Sequence, residues 1–318
     1  MKIAFVGKGG SGKSTTTSLF IQYLLKNNKK VLAIDADINM HISGLLNIDR
    51  NPNLALSENS NVAAIRKHLK GNNQKIKDYT QIVKTTPPGK GSNLLSINEN
   101  DFILKNFATK FGNSSYYMYV GTYESNEIGT ACYHTNLAIF ENILSHSFVD
   151  NDEWIVADMV AGTDAFSNTL HAQFDAIVLV IEPTSEGASV YEQYIKLAKD
   201  AGVDENLYVV GNKIEDDSDF MYLQEKVGQR LLGGFTLKKE IKQARQRNLS
   251  LDLSLLSKEE LDLFKKIVHL IEKKGAQYEK KLQLLQELHK RYVAQDYIIN
   301  AFGDITSQID VDFHYPIK

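Results

Sequence analysis

The sequence predicts a doubly wound α/β layer sandwich with a mostly parallel sheet and a helical C-terminal extension. Short continuous apolar runs recur along the first two thirds of the chain: Ile3 to Val6, Val31 to Ile34, Tyr116 to Val120, Trp154 to Ala157, Ala176 to Ile181 and Leu207 to Val210. Such runs suit the strands of a parallel sheet covered on both faces. Segments long enough for helices stand between many of them, among them residues 14–27, 136–147 and 186–199. Beyond residue 256 the runs give way to apolar residues at three-four spacing, the mark of amphipathic helices. Two units are therefore expected, residues 1–255 and 256–318.

The first strand stops at Gly7, where the sequence begins to fit G-x-x-x-x-G-K-[ST] with Gly7, Gly12, Lys13 and Ser14 at the fixed positions. Gly7, Gly9, Gly10 and Gly12, with Ser11 among them, let the backbone curl so that successive N–H groups point inward at a phosphate chain. The helix from about Ser14, with Thr15 in its first turn, adds the positive end of its dipole. In this pattern the lysine reaches the β- and γ-phosphates and the serine hydroxyl ligates Mg²⁺. Lys8 gives the loop a second lysine.

The second strand ends at Asp35 and Asp37, at the carboxyl edge where open α/β sheets bind ligands. The pair also suits turn capping. Residues 49–115 are least readable: a helix over 62–69, strands over 81–86 and 94–97, and a short helix over 98–110 are expected. Thr85-Thr-Pro-Pro-Gly-Lys-Gly91 is a loop, read as a surface connection or as a specificity loop beside the ligand.

After Tyr116 to Val120 comes a segment that holds Cys132 and His134. Thiolate and imidazole two residues apart can share a borderline-soft ion, and two such pairs across a twofold axis would make four ligands. A lone cysteine is also a small apolar core residue. The run from Trp154 ends at Asp158, with Gly162 four residues on; glycine there permits close approach of a phosphate. The last clear strand, Leu207 to Val210, leads into Gly211, Asn212 and Lys213. Ser257 and Glu260 form a capping box that opens a helix or helical pair over about 257–300, interrupted at Gly275 and His289. Its stripe suits packing on the rest of the chain, dimerisation or partner docking.

Composition narrows the classes. A net charge of −3 over 318 residues gives no global drive toward nucleic acid or membrane. One cysteine rules out an internal disulfide and fits the cytoplasm. No run is long enough for a membrane span, and no signal peptide is expected.

The two-lysine loop resembles the deviant P-loop of the family that holds the partition and Min-type ATPases, the nitrogenase iron protein and the nickel-insertion ATPase of carbon monoxide dehydrogenase. The resemblance covers about residues 1–255, weakly over 49–115, and implies a P-loop NTPase fold, ATP and Mg²⁺ as ligands, and a nucleotide-dependent homodimer. It implies that Lys8 crosses the interface to the partner's nucleotide, that Asp37 positions water or the metal's water shell, and that Asp158 stands in the outer shell of Mg²⁺. It makes Gly162 a γ-phosphate contact, Asn212 the adenine reader, and residues 163–171 the segment that moves when the γ-phosphate leaves. The family commonly has a proline after the switch aspartate; here it is Ile38. Glu215 stands where guanine-selective proteins carry aspartate, and the family's preference is for ATP. The nickel-insertion branch carries a C-x-C pair at the interface; this chain offers Thr130-x-Cys132, so Zn²⁺ or Ni²⁺ there would depend on Cys132 and His134. Two roles use such an engine: assembly of a client's metal centre, or a regulatory or spatial switch whose ATP dimer binds protein, DNA or membrane. A nucleotide sensor with negligible turnover is a third.

Overall fold

The computed structural model describes residues 1–122, 133–160, 162, 166, 169–247 and 249–316, with the backbone alone for 133–135. Its centre is an eight-stranded sheet in the order β3-β4-β2-β5-β1-β6-β7-β8. The strands are β1 (Lys2–Val6), β2 (Lys30–Ala36), β3 (Thr109–Phe111), β4 (Ser115–Tyr119), β5 (Glu153–Met159), β6 (Ala176–Ile181), β7 (Leu207–Ile214) and β8 (Leu231–Thr236). All paired neighbours run parallel except β3, which pairs antiparallel with β4 at one edge. This is the doubly wound arrangement that the apolar runs predict.

Helices cover both faces: α1 (Lys13–Lys26), α2 (Ile42–Leu45), α3 (Asn59–Lys70), α4 (Phe102–Phe107), α5 (Tyr133–Ser145), α6 (Ser185–Asp200), α7 (Asp217–Val227) and α8 (Lys239–Gln246), followed by α9 (Lys258–Lys274), α10 (Tyr278–Val293) and α11 (Asp296–Phe302). Alternate residues of β1 serve opposite cores, as the strand period of two requires. Ile3 and Phe5 join Phe20, Leu24, Phe264 and Ile267 on the α1 and α9 side. Ala4 and Val6 join Ile65, Phe140, Tyr194 and Leu223 on the other. Phe20 is the hub of the first core, with its ring centroid 5.3 Å from Phe5, 5.4 Å from Phe264 and 6.0 Å from Trp154.

The C-terminal stripe buries against this body. The chain breaks at Gly275, whose φ of 72° ends α9 as few other residues would. Leu282 then packs with Phe148, Phe313 and Tyr315, and Val293, Ile298 and Ile305 pack with Val83. His289 does not interrupt α10. It is buried on its inner face, with Nδ1 2.8 Å from Thr85 Oγ1.

Several expectations are corrected. Residues 81–86 form no strand, because side chains take the backbone groups that a ladder needs: Asp78 caps a 3₁₀ turn at Tyr79–Gln81, and Thr86 Oγ1 accepts from Val83 N at 2.9 Å. Residues 94–97 contribute one isolated bridge, Leu95 to Ser147. Asp101 accepts from the N–H groups of Ile103 and Leu104, which starts the expected 98–110 helix late; it ends at Phe107 and gives way to β3. The Thr85 loop lies outside the ligand cleft and only its end is on the surface: Lys90 and Gly91 are exposed, but Thr85 and Thr86 are buried under the C-terminal segment, and Thr86 Oγ1 donates to Gln308 Oε1 at 2.8 Å. Finally, β7 is not the last strand. β8 follows, its apolar run diluted by Gly233 and Gly234, which leave room for the side chains of Leu263 and Ile214. Among the described residues no helix is long and apolar enough to cross a membrane.

Candidate functional site

The glycine-rich loop leaves β1 at its carboxyl end and enters α1. Gly10 and Gly12 hold φ of 88° and 91°, left-handed values that favour glycine. Gly12 is the N-cap of α1 and offers no capping side chain, so the helix presents free N–H groups to an anion. A Cβ on Gly12 would come within 2.0 Å of Asn212 Nδ2. Ser11 N donates to Lys8 O at 3.1 Å and closes the curl. Ser11 Oγ is buried and has no hydrogen-bond partner among the described residues. Gly7 is buried, Gly9 and Gly10 are exposed, and Thr15 is half-buried on the cleft wall. Lys8 is exposed at the rim and makes no hydrogen bond or ion pair among the described residues.

Below the loop, three elements converge. Lys13 Nζ lies 3.0 Å from Asp37 Oδ2 and 2.8 Å from Asp158 Oδ1. Ser14 Oγ donates to Asp158 Oδ2 at 2.6 Å, and Thr17 Oγ1 to Asp158 Oδ1 at 3.0 Å. Parallel pairing of β2 with β5 sets Asp35 opposite Asp158, which is why the two strand ends meet. Burial alone would lower the Lys13 pKa; Asp158 and Asp37 outweigh it and hold it above the ordinary lysine value. Burial would likewise raise Asp37, but Lys13 and the N–H groups of Asn39 hold it down. Among the described residues Asp35 has no such cation in contact. Burial first, and then the charge of Asp158, push it up to about 8, while it accepts from Ile42 N at 2.9 Å and so ties down the turn that carries Asp37.

On the other side, Asn212 Nδ2 donates to Ser11 O at 2.7 Å, and Lys213 Nζ donates to Gly10 O and to Glu182 Oε1, each at 2.8 Å. Both residues brace the loop backbone in this state. Gly162 N approaches Gly7 O at 3.4 Å, its carbonyl accepts from Tyr194 OH, and its φ is 102°. The neighbouring residues 163–165, 167 and 168 lie outside the described residues, as do Cys132 and the side chain of His134. Among the described residues no three His, Cys, Asp or Glu side chains gather as an ion cage.

These residues open onto a cleft of about 760 Å³, within the range of small-molecule sites. Its far wall was not foreseen. It comes from the end of β8 and from α8: Thr236, Leu237, Lys238, Ile241, Lys242 and Arg245. The basic run from Lys238 to Arg247 was the available signal. Ser14, Asp37 and Asp158 together supply hard oxygen donors, which fit Mg²⁺, an ion that usually keeps waters and substrate phosphates in its shell rather than a full protein cage. The unpartnered Ser11 hydroxyl and the free helix terminus fit a phosphate chain.

Fold and site define a P-loop ATPase. The chain belongs to the family described as the CobQ/CobB/MinD/ParA nucleotide binding domain, whose model matches residues 3–296. It is similar to an ATP-binding protein of Methanocaldococcus jannaschii, 29% identical over 73% of this chain and 84% of that protein. It is also similar to the carbon monoxide dehydrogenase accessory protein CooC of Rhodospirillum rubrum, 27% identical over 79% of this chain and 89% of that protein. Among solved structures, a ParA family ATPase from Chlorobium tepidum shares the fold with a TM-score of 0.56 at 15% identity, over 85% of this chain and 98% of that one. A plasmid partition protein of Borrelia burgdorferi bound to AMPPNP does so at 0.53 and 17%, over 86% and 98%.

Proposed function

We propose that this chain is a Mg²⁺-dependent ATPase whose nucleotide state switches self-association, with residues 1–255 as the engine and 256–318 as an extension braced on it. The observation that carries this reading is the Lys13 ammonium held between Asp37 and Asp158 in the first turn of α1, whose N-terminus has no capping side chain. A triphosphate offers Lys13 oxygens that compete with both carboxylates. Ser14, Asp37 and Asp158 would hold the ion or its water shell; when bound, it neutralises charge on the β- and γ-oxygens. Asp37 orients a water whose oxygen bonds to the γ-phosphorus as the bridging bond to ADP breaks with its electron pair. The water proton leaves with the phosphate. Catalysis is then positioning and electrostatics. Gly162 follows the γ-phosphate, and Asn212 and Lys213 border the base end. Lys8, exposed and without an ion pair among the described residues, reaches the nucleotide of a second copy.

Similarity to CooC along most of both chains favours a role in metal-centre assembly, with a protein client and, at Cys132 and His134, a Zn²⁺ or Ni²⁺ site at the interface. Sedimentation of Asp37→Ala with MgATP tests the switch. A dimer that forms with ATP and is lost in Asp37→Ala carrying Lys8→Ala is expected. A monomer under every condition would remove the cross-subunit role of Lys8.

A further inference from the structure

Helix α8 forms the far wall of the cleft, yet none of its residues is fully buried. Ile241 and Ala244 pack on the α1 and α9 core, and both ends of the helix are tied. At its start, Thr236 N and Thr236 Oγ1 both donate to Glu260 Oε1 at 2.9 Å, and Lys238 pairs with Glu260 Oε2 at 2.9 Å. At its finish, Leu249 N donates to Ala244 O at 2.9 Å, Leu251 N to Leu45 O at 3.2 Å, and Gln22 Nε2 to Leu251 O at 2.7 Å. The helix thus runs from the Lys213 side of the cleft to α2, beside the turn that carries Asp37 and His41.

Arg245 lies at that second end. It lines the cleft with Lys13, Ser14, Asp37 and His41. It is half-buried, and among the described residues it makes no hydrogen bond or ion pair. A guanidinium partly withdrawn from water without an acceptor is disfavoured until an anion arrives. Burial lowers the Arg245 pKa while the charge of Asp158 opposes the shift, so Arg245 lies within the electrostatic reach of Asp158. The other cations of this wall are less suited. Lys238 is already paired with Glu260, and Lys242 is exposed.

We propose that Arg245 contacts the γ-phosphate of ATP bound to its own subunit and stabilises the charge on its oxygens as the bond to ADP breaks. This rests on the ATPase reading above. Arg245 moves no proton; its planar fork can meet two oxygens of one phosphate side by side in a fixed geometry, which the point charge of a lysine does not impose. The hydrogen bond from Leu251 N to Leu45 O links the segment after α8 to α2, next to the Asp37 turn.

The test compares wild type, Arg245→Ala and Arg245→Lys, with Lys239→Ala as a control that is exposed on the same helix and outside the cleft. MgADP and MgAMPPNP affinities are measured by calorimetry, and phosphate release from MgATP at saturation. For Arg245→Ala, ADP affinity within about twofold of wild type, AMPPNP affinity weaker by about tenfold, and turnover lower by roughly 10²–10³-fold are expected. Arg245→Lys should recover part of the AMPPNP affinity and little of the rate. Wild-type turnover and AMPPNP affinity in Arg245→Ala would overturn the assignment, as would equal loss of both nucleotides. Wild-type protein that binds neither nucleotide would instead refute the ATPase reading and Arg245 with it.

Discussion

Buried lysines stand at both ends of the sheet, and their surroundings differ. At the carboxyl end Lys13 meets two carboxylates, which hold its pKa up, and it opens onto a cleft of about 760 Å³. At the opposite end Lys281 pairs with the buried Asp175, and Lys2 donates to Leu144 O at 2.7 Å, with Tyr278 under both ammonium groups at 4.9 and 5.3 Å. Burial, and then the neighbouring Lys281, push Lys2 well below the usual lysine range. The void there is about 20 Å³, of the order of one water. The ingredients match, but the number of acceptors and the room around them differ. Lys13 has two partners that a phosphate chain can displace; Lys281 has one, sealed under α10. On the function proposed above, the first cluster exchanges a ligand, whereas the second holds the C-terminal helices in place.

That contrast can be broken most strongly at the sealed end. Lys281→Met leaves the Asp175 carboxylate buried without its cation and should cost about 3–5 kcal/mol in urea unfolding, while ATP affinity of the folded protein stays near wild type. An equal loss of nucleotide affinity would show that the two ends are not independent.

A smaller effect concerns pH. His289, facing Thr85 Oγ1 and Ile305 O, is pushed down to about 4, by burial first. The unfolded histidine titrates near about 6.5, so between these values the unfolded chain binds more protons. The stability contributed by neutral His289 is present above about pH 6.5 and is lost as the pH falls toward 4. His289→Gln should flatten the decline of the urea midpoint over that window, leaving the part due to His146, which burial also pushes down to about 4, and to His41 and His68, which burial also lowers. An unchanged slope would place the titration elsewhere.

The smallest effect divides one capping box between stability and site. Ser257→Ala removes the acceptor of Glu260 N and should cost about 1 kcal/mol with nucleotide affinity intact. Glu260→Ala also frees Thr236 and Lys238 from their anchor in the cleft wall. It should weaken ATP binding as well, measured by calorimetry. Equal nucleotide affinity in both variants would mean that the wall stands without that anchor.

What could be read from the sequence follows from how local each cause is. The loop at Gly7 to Ser14 is legible because its residue types and spacing are the chemistry itself. Asp37 and Asp158 are legible because each ends an apolar run, and Ser257 with Glu260 because a capping box spans one helical turn. The cleft wall was not, because Arg245 and Thr236 join the site only through the pairing of β8 with β7, and β8 hides its period behind Gly233 and Gly234. Residues 81–97 misled for a related reason. Thr86 and Asp78 satisfy backbone groups locally, while Val83 and Thr85 find their partners in residues 289–308.

The central claim is that Lys13 exchanges its carboxylates for the phosphates of ATP and that hydrolysis depends on it. Phosphate release from MgATP by wild type and Lys13→Met, with folding checked by circular dichroism, tests this directly. Steady turnover by wild type and a loss of at least about 10²-fold in the variant are predicted. Release by Lys13→Met at the wild-type rate would contradict the account.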